Sequence, residues 1–120
     1  MRKAAEQGYA LAQYSLGWMY ANGQGVPKDN KEAVKWYRLS AEQGDDVAQF
    51  CLGVMYQFGE GVPKDYIQAY AWFNLAASNG HENAKEGRGI TERKMTPEQI
   101  AKAQELSKQM LKEIEARKNN

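Results

Sequence analysis

Gly25-Val26-Pro27-Lys28-Asp29 recurs unchanged as Gly61-Val62-Pro63-Lys64-Asp65, and the repetition spreads outward from that pair in both directions. Gly8, Gly44 and Gly80 keep step with it, as do Ala12, Ala48 and Ala84. Leu16-Gly17 returns as Leu52-Gly53, Met19-Tyr20 as Met55-Tyr56, and Ala33, Trp36, Leu39 and Ala41 as Ala69, Trp72, Leu75 and Ala77. The offset is 36 residues throughout (61 − 25). A period of roughly 20 to 50 residues marks units that bury their faces on one another in a solenoid.

Each unit reads as two helices. Ala12, Leu16 and Tyr20 lie at four-residue spacing, so the first helix runs from about Ala10 to Asn22 with these residues turned to its partner. Gly23 and Gly25 let the chain leave the helix, and Pro27 stiffens the connection. Asp29 is placed to cap the second helix, with Glu32 completing an acidic capping box; Asp65 and Gln68 repeat the device. Ala33, Trp36-Tyr37 and Ser40-Ala41 follow before Gly44 ends the helix. Two short antiparallel helices with small residues at their crossings stack in series as an α-solenoid.

The pattern Ala-x3-Leu-Gly-x2-Tyr-x2-Gly-x-Gly-Val-Pro-x-Asp-x3-Ala-x2-Trp-Tyr/Phe resembles the Sel1-like repeat, a relative of the tetratricopeptide repeat. Two complete units span residues 8–43 and 44–79. Residues 1–7 look like the end of a preceding second helix, which puts Met1 where Tyr37 and Phe73 sit. Residues 80–120 form a half-unit in which Arg88 replaces the repeat leucine, and no Gly-x-Gly-Val-Pro turn follows. Instead Thr96-Pro97-Glu98-Gln99 opens a last helix towards Ala116, with Ile100, Ala103, Leu106, Met110, Leu111 and Ile114 on its apolar side and a frayed end at residues 117–120. That tail is similar to the segment that closes such arrays, and its expected task is to cover the last unit's open face. The resemblance implies an all-α, right-handed solenoid of helix-turn-helix repeats with a C-terminal capping helix, used as a non-enzymatic scaffold for protein–protein interaction.

Composition narrows the choice of partner. Sixteen basic residues against 15 acidic ones, net +1, supply no concentrated basic face for nucleic acid or an anionic membrane. No apolar run reaches the roughly 18 residues of a spanning helix, and the N-terminus lacks the apolar stretch of a signal peptide. The single Cys51 excludes an internal disulfide and points to a reducing compartment; the cytoplasm is the expected setting, with the periplasm open if a signal was removed. One histidine, His81, cannot complete a zinc site, so neither metal nor cofactor is expected.

Chemistry finds little to work with. The glycine turns join two helices and occur twice, unlike a phosphate loop between strand and helix. Asp29 and Asp65 are caps, and no spacing pairs Glu32, Asp45-Asp46, Glu60 or Glu82 across a cleft. His81 reads as a solvated residue at a helix start, and Cys51 as a small residue where the previous unit has Ser15. Some cysteine-rich Sel1-like relatives are described as β-lactamases, which makes a hydrolase the alternative. Those relatives pair cysteines in every repeat, and this chain has one. It has no Ser-x-x-Lys either: Ser15, Ser40 and Ser78 are followed three residues on by Trp18, Gln43 and His81, and Ser107 by Met110.

Function is therefore sought where the two units disagree, since those positions are not fixed by shared packing. Trp18 stands opposite Val54, Asn22 opposite Phe58, Asn30 opposite Tyr66 and Val34 opposite Tyr70. Positions 11, 15, 18 and 22 form a second stripe on the first helix, matched by Val47, Cys51, Val54 and Phe58. In related solenoids the first helices line the concave side. There Ser15, Trp18, Asn22, Val54 and Phe58, with Gln13, Gln49 and Gln57 beside them, would make a groove for a peptide or a helix of a partner protein. The competing reading is that the stripe only packs neighbouring units together. A start in mid-repeat also leaves an apolar end, so self-association through it is expected.

Overall fold

The computed structural model describes residues 2–119, and the described residues form seven α-helices joined by short loops. They are α1 (Arg2–Glu6), α2 (Ala10–Asn22), α3 (Asn30–Ala41), α4 (Asp46–Phe58), α5 (Tyr66–Ser78), α6 (Glu82–Glu92) and α7 (Pro97–Lys118). Met1 and Asn120 lie outside the described residues, so the expectations placed on them stay there. Helices pair α2 with α3 and α4 with α5, and each pair stacks on the next through α3 on α4 and α5 on α6. This is an α-solenoid.

The repeated loop is built the same way twice. Gly23 and Gly59 end their helices in the left-handed region at φ 66° and 67°. The Asp29 and Asp65 amides then donate to the Tyr20 and Tyr56 carbonyls at 2.9 and 3.0 Å. Each aspartate side chain caps the helix that follows, accepting from the Glu32 and Gln68 amides at 3.2 and 3.1 Å. The expected capping boxes are thus half-made: the Asp amide is already held by the tyrosine carbonyl, so the box has no return donor to offer. At the far end of the first pair Ser40 Oγ donates to the Ala10 carbonyl at 2.8 Å, which fixes α2 and α3 as antiparallel.

Packing explains the small residues inside the helices. A Cβ on Gly17 would lie 2.8 Å from the Tyr37 ring, and one on Gly53 2.7 Å from the Phe73 ring. Small residues at those crossings let a buried aromatic lie flat against the facing backbone. Ala33, Tyr37, Leu52, Met55, Trp72 and Ile114 form the central core; Ala69, Phe73, Ala76, Ala77 and Ala84 continue it towards α6. Trp36 and Trp72 are buried as the repeat requires. Tyr20 and Tyr56 are half-buried, and their hydroxyls accept from Arg2 and Arg38 of the preceding second helix.

At the C-terminal end the expected cap forms, but the helix runs further than expected and Leu111 leaves its apolar side. The capping box at Thr96 is complete: Gln99 N–H donates to Thr96 Oγ1 at 3.1 Å, and the Thr96 amide to Gln99 Oε1 at 2.9 Å. The helix it opens, α7, lies along α5 and runs past Ala116 to Lys118, through two residues expected to fray. Asn74 donates to Ser107 at 2.8 Å and accepts from Arg88 at 2.8 Å, so the arginine in the repeat-leucine position ties α6 to the helix beneath α7. Arg117 reaches the far corner and pairs with Glu42 at 3.1 Å. The inward side of α7 carries Ala103, Ser107 and Ile114, whereas Leu111 is 43% exposed, one helical step round from it.

Candidate functional site

The first helices α2, α4 and α6 carry equivalent positions at the 36-residue offset, and hollows recur beside them. Tyr14, Ser15, Trp18 and Met19 line one of about 310 Å³. One unit on, Phe50, Cys51, Val54 and Met55 line the next, narrowed to about 150 Å³ by Tyr37 and Ala21. The third, about 340 Å³, lies between Val54 and Phe58 of α4 and Gly87 and Ile90 of α6, with Glu86 and Lys94 also on its wall. Positions 15, 51 and 87 all fall at these hollows, and at 51 and 87 the residue is small beside the aromatic of the preceding second helix, Tyr37 and Phe73. Gly87 shows it directly, since a Cβ would stand 2.9 Å from Phe73.

The side chains singled out from the sequence divide into three groups. Trp18 is 44% exposed and Phe58 65%, large apolar surfaces that no shared packing consumes. Ser15 and Val54 are half-buried in the hollows beside them, and Gln57 is buried on the wall of the third. Asn22 is exposed, but its side-chain amide donates to the Trp18 carbonyl at 2.9 Å, so it steadies the end of α2. Gln13 and Gln49 leave the set. They are 4% and 1% exposed, and their amides donate to the Ala5 and Ala41 carbonyls of the preceding second helices, each at 3.2 Å. A buried amide that satisfies a helix end is structural rather than an edge for a partner.

Variation between units also proved an incomplete guide. Val34 and Tyr70 differ yet are both buried, because their neighbours differ: Val34 lies by the Gly61 loop, while Tyr70 lies beneath α7, where Gln104 bonds its hydroxyl at 3.4 Å. Conversely Ile90, 36% exposed in the third hollow, occupies the position of Trp18 and Val54 in the half-unit. The offset of 36 from Val54 marks it; the loss of the turn motif downstream obscured it.

Nucleophiles on this face and on the second helices behind it are already engaged or buried. Burial pushes the Cys51 thiol up to about 11, against a smaller lowering by a hydrogen bond from Tyr37. His81 is not a solvated base: its Nδ1 accepts from the Ala84 amide at 3.1 Å as the cap of α6, and its ring stacks on Phe50 at 4.8 Å. Ser40 and Ser78 donate to the Ala10 and Leu75 carbonyls. Among the described residues no three His, Cys, Asp or Glu side chains converge as a metal site, and no helix is long and apolar enough to cross a membrane.

Comparison with known proteins accounts for the repetition. The Sel1 repeat model matches residues 1–9, 10–45 and 46–81, the same period set two residues later than the glycine frame. A protective antigen of uropathogenic Escherichia coli, whose crystal structure displays an SLR fold, superposes with a TM-score of 0.91 at 44% identity, over 94% of this chain and 24% of that one. A Sel1 repeat protein from Oxalobacter formigenes superposes with a TM-score of 0.72 at 46% identity, over 74% of this chain and 67% of that one. A chitin synthase regulator of Malassezia restricta is 49% identical over 37 residues, 31% of this chain and 3% of its own length. The chain thus spans about a quarter of the antigen and a small fraction of the regulator. With three consecutive matches and the fold in common, the chain belongs to the Sel1 repeat family, whose members generally mediate protein–protein interaction on a non-catalytic scaffold type.

Proposed function

We propose that the chain is a non-enzymatic adaptor that receives a segment of a partner protein on the face of α2, α4 and α6, the concave side of the solenoid. The observation that carries this reading is the exposure of Trp18 and Phe58 beside apolar hollows, while the aromatics fixed by the repeat are buried. A large apolar side chain left in water on a helix face is a common mark of a binding surface. The face carries few charges, which favours apolar anchoring over electrostatic steering. The chitin synthase regulator is by its name a regulator, in keeping with a recruiting role for the shared repeat.

A pull-down comparing wild type with the Trp18→Ala/Phe58→Ala double variant tests the proposal. Both side chains are exposed, so the variant is expected to fold as wild type does and to lose the captured partners. Equal capture by the two proteins would overturn it.

A further inference from the structure

We propose that Gln57 reads the main chain of the bound segment. The segment lies extended through the hollow between α4 and α6, sets one large apolar side chain against Phe73 and Ile90, and gives a neighbouring peptide group to the Gln57 amide. The proposal rests on the reading of this face as the binding surface; it adds the form of the ligand and the residue that selects it.

The middle and third hollows are built from equivalent positions, and their differences are informative. Ala21, Tyr37, Phe50, Cys51 and Val54 of the middle hollow return 36 residues on as Gln57, Phe73, Glu86, Gly87 and Ile90 of the third. With Gly87 for Cys51 and Phe73 for Tyr37, the third hollow holds about 340 Å³ against about 150 Å³. Gln57 and Glu86 put an amide and a carboxylate where the middle hollow has two apolar side chains.

The Gln57 amide has no task inside the fold. Gln57 is 8% exposed, and among the described residues no protein group donates to its side chain or accepts from it. Gln13 and Gln49 instead donate to the Ala5 and Ala41 carbonyls. The side-chain atoms sealed from solvent without a partner are Trp36 Nε1, Gln49 Oε1 and Trp72 Nε1. The Gln57 amide is not among them, so its polar end keeps a path to solvent, and the wall it stands on is that of the third hollow. The repeat does not require it either, since the equivalent positions hold Ala21 and Arg93.

Desolvation then selects the ligand. Any segment that fills the hollow takes water from this amide, and an amide buried without a partner is costly. A helix spends its own N–H and C=O groups internally and offers only side chains, which leaves the amide unmet. An Asn or Gln side chain would meet the amide but leave Phe50, Val54 and Ile90 without apolar contact. An extended segment satisfies both demands, because successive side chains point to opposite sides and the peptide groups between them are free to bond. One apolar residue enters while the next peptide group donates its N–H to Gln57 Oε1 and accepts from Nε2.

The test uses Gln57→Leu, which keeps the size and removes the amide, with peptides selected from a displayed random library against the whole chain. The variant is expected to melt at or above the wild-type temperature, since the amide has no partner in the fold to lose. A lower melting temperature would make Gln57 a structural residue and overturn the proposal. Each winning peptide is then remade with a single N-methyl group at every peptide bond in turn. One position is expected to weaken binding to wild type by about tenfold. The same N-methyl group should change binding to Gln57→Leu by less than about twofold, which couples that N–H to the amide. Winners that are helical when bound, or that show no coupled position, yet still lose affinity on Phe58→Ala would sink the extended reading alone. Winners that bind the Trp18→Ala/Phe58→Ala protein as tightly as wild type, or an absence of enrichment, would sink the binding-face reading beneath it. Matching circular dichroism confirms that the fold is intact in each arm.

Discussion

The side-chain amide of Gln49 donates to the Ala41 carbonyl at 3.2 Å across the boundary between two repeats, and Gln13 makes the same bond to Ala5 one unit earlier. The bond clamps the start of each first helix to the end of the helix before it. Gln49→Leu is expected to lower stability by about 1 kcal/mol, since the Ala41 carbonyl keeps a second donor in the Gly44 amide at 2.9 Å. Gln49→Glu should cost more, on the order of 3 kcal/mol at neutral pH, by aiming a buried carboxylate at a carbonyl. Its folded-state pKa would be raised, so the loss should shrink as pH falls. Urea titrations at pH 5 and 7 measure both effects, and equal stabilities for the two variants would contradict this account.

Gly53 and Gly89 are both helical glycines that should answer alanine in opposite directions. A Cβ on Gly53 meets the buried Phe73 ring at 2.7 Å, and the ring cannot retreat because Gly87 holds its other side. Gly53→Ala should destabilise by roughly 1–3 kcal/mol. At Gly89 the nearest atom is the end of the Arg93 side chain at 4.0 Å, so Gly89→Ala should stabilise by roughly 0.5–1 kcal/mol through the smaller entropy of the unfolded chain. Thermal melts of the pair decide it; a shift in the same direction would be inconsistent with the packing described.

Cys51 should be a slow thiol in the folded protein. With its pKa pushed up to about 11, about one molecule in a thousand is thiolate at pH 8, so disulfide-exchange reagents should label it far faster in urea than in buffer. Burial raises the thiol above its ordinary 9.0, and it also raises Tyr37. Both groups are neutral in the fold, so their contribution is complete below about pH 9 and falls away as pH rises towards 11. Cys51→Ser with Tyr37→Phe, the residues found at positions 15 and 73, should flatten the alkaline limb of the stability profile. An unchanged limb would mean that other groups set it.

The start of α2 leaves Tyr9 63% and Leu11 72% exposed. We expect weak self-association through this patch, visible by light scattering at high concentration and removed by Leu11→Asp. A strict monomer across that range would reject it.

The local structure was legible from residues alone. The 36-residue offset, the Gly-x-Gly-Val-Pro-Lys-Asp turn, Asp29 and Asp65 as caps and Thr96 with Gln99 all act within a few residues along the chain, so their chemistry is written in order. Helix limits such as Ala10–Asn22 followed directly. Trp18 and Phe58 are large apolar residues absent from the matching unit and both are exposed, whereas Tyr70, marked by the same rule, is buried.

Tertiary structure alone decided what each face meets. Gln13 and Gln49 look like free amides on a helix until the preceding helix end arrives over them, and burial then makes them clamps. Tyr70 looks like a variable aromatic until α7 lies over it, and α7 chooses α5 through Asn74, Ser107 and Ile114, residues about 30 to 40 positions apart from their partners in sequence. Periodicity fixes which residues share one side of a helix. Which neighbour covers that side depends on contacts between distant segments, and these exist only once the chain has folded.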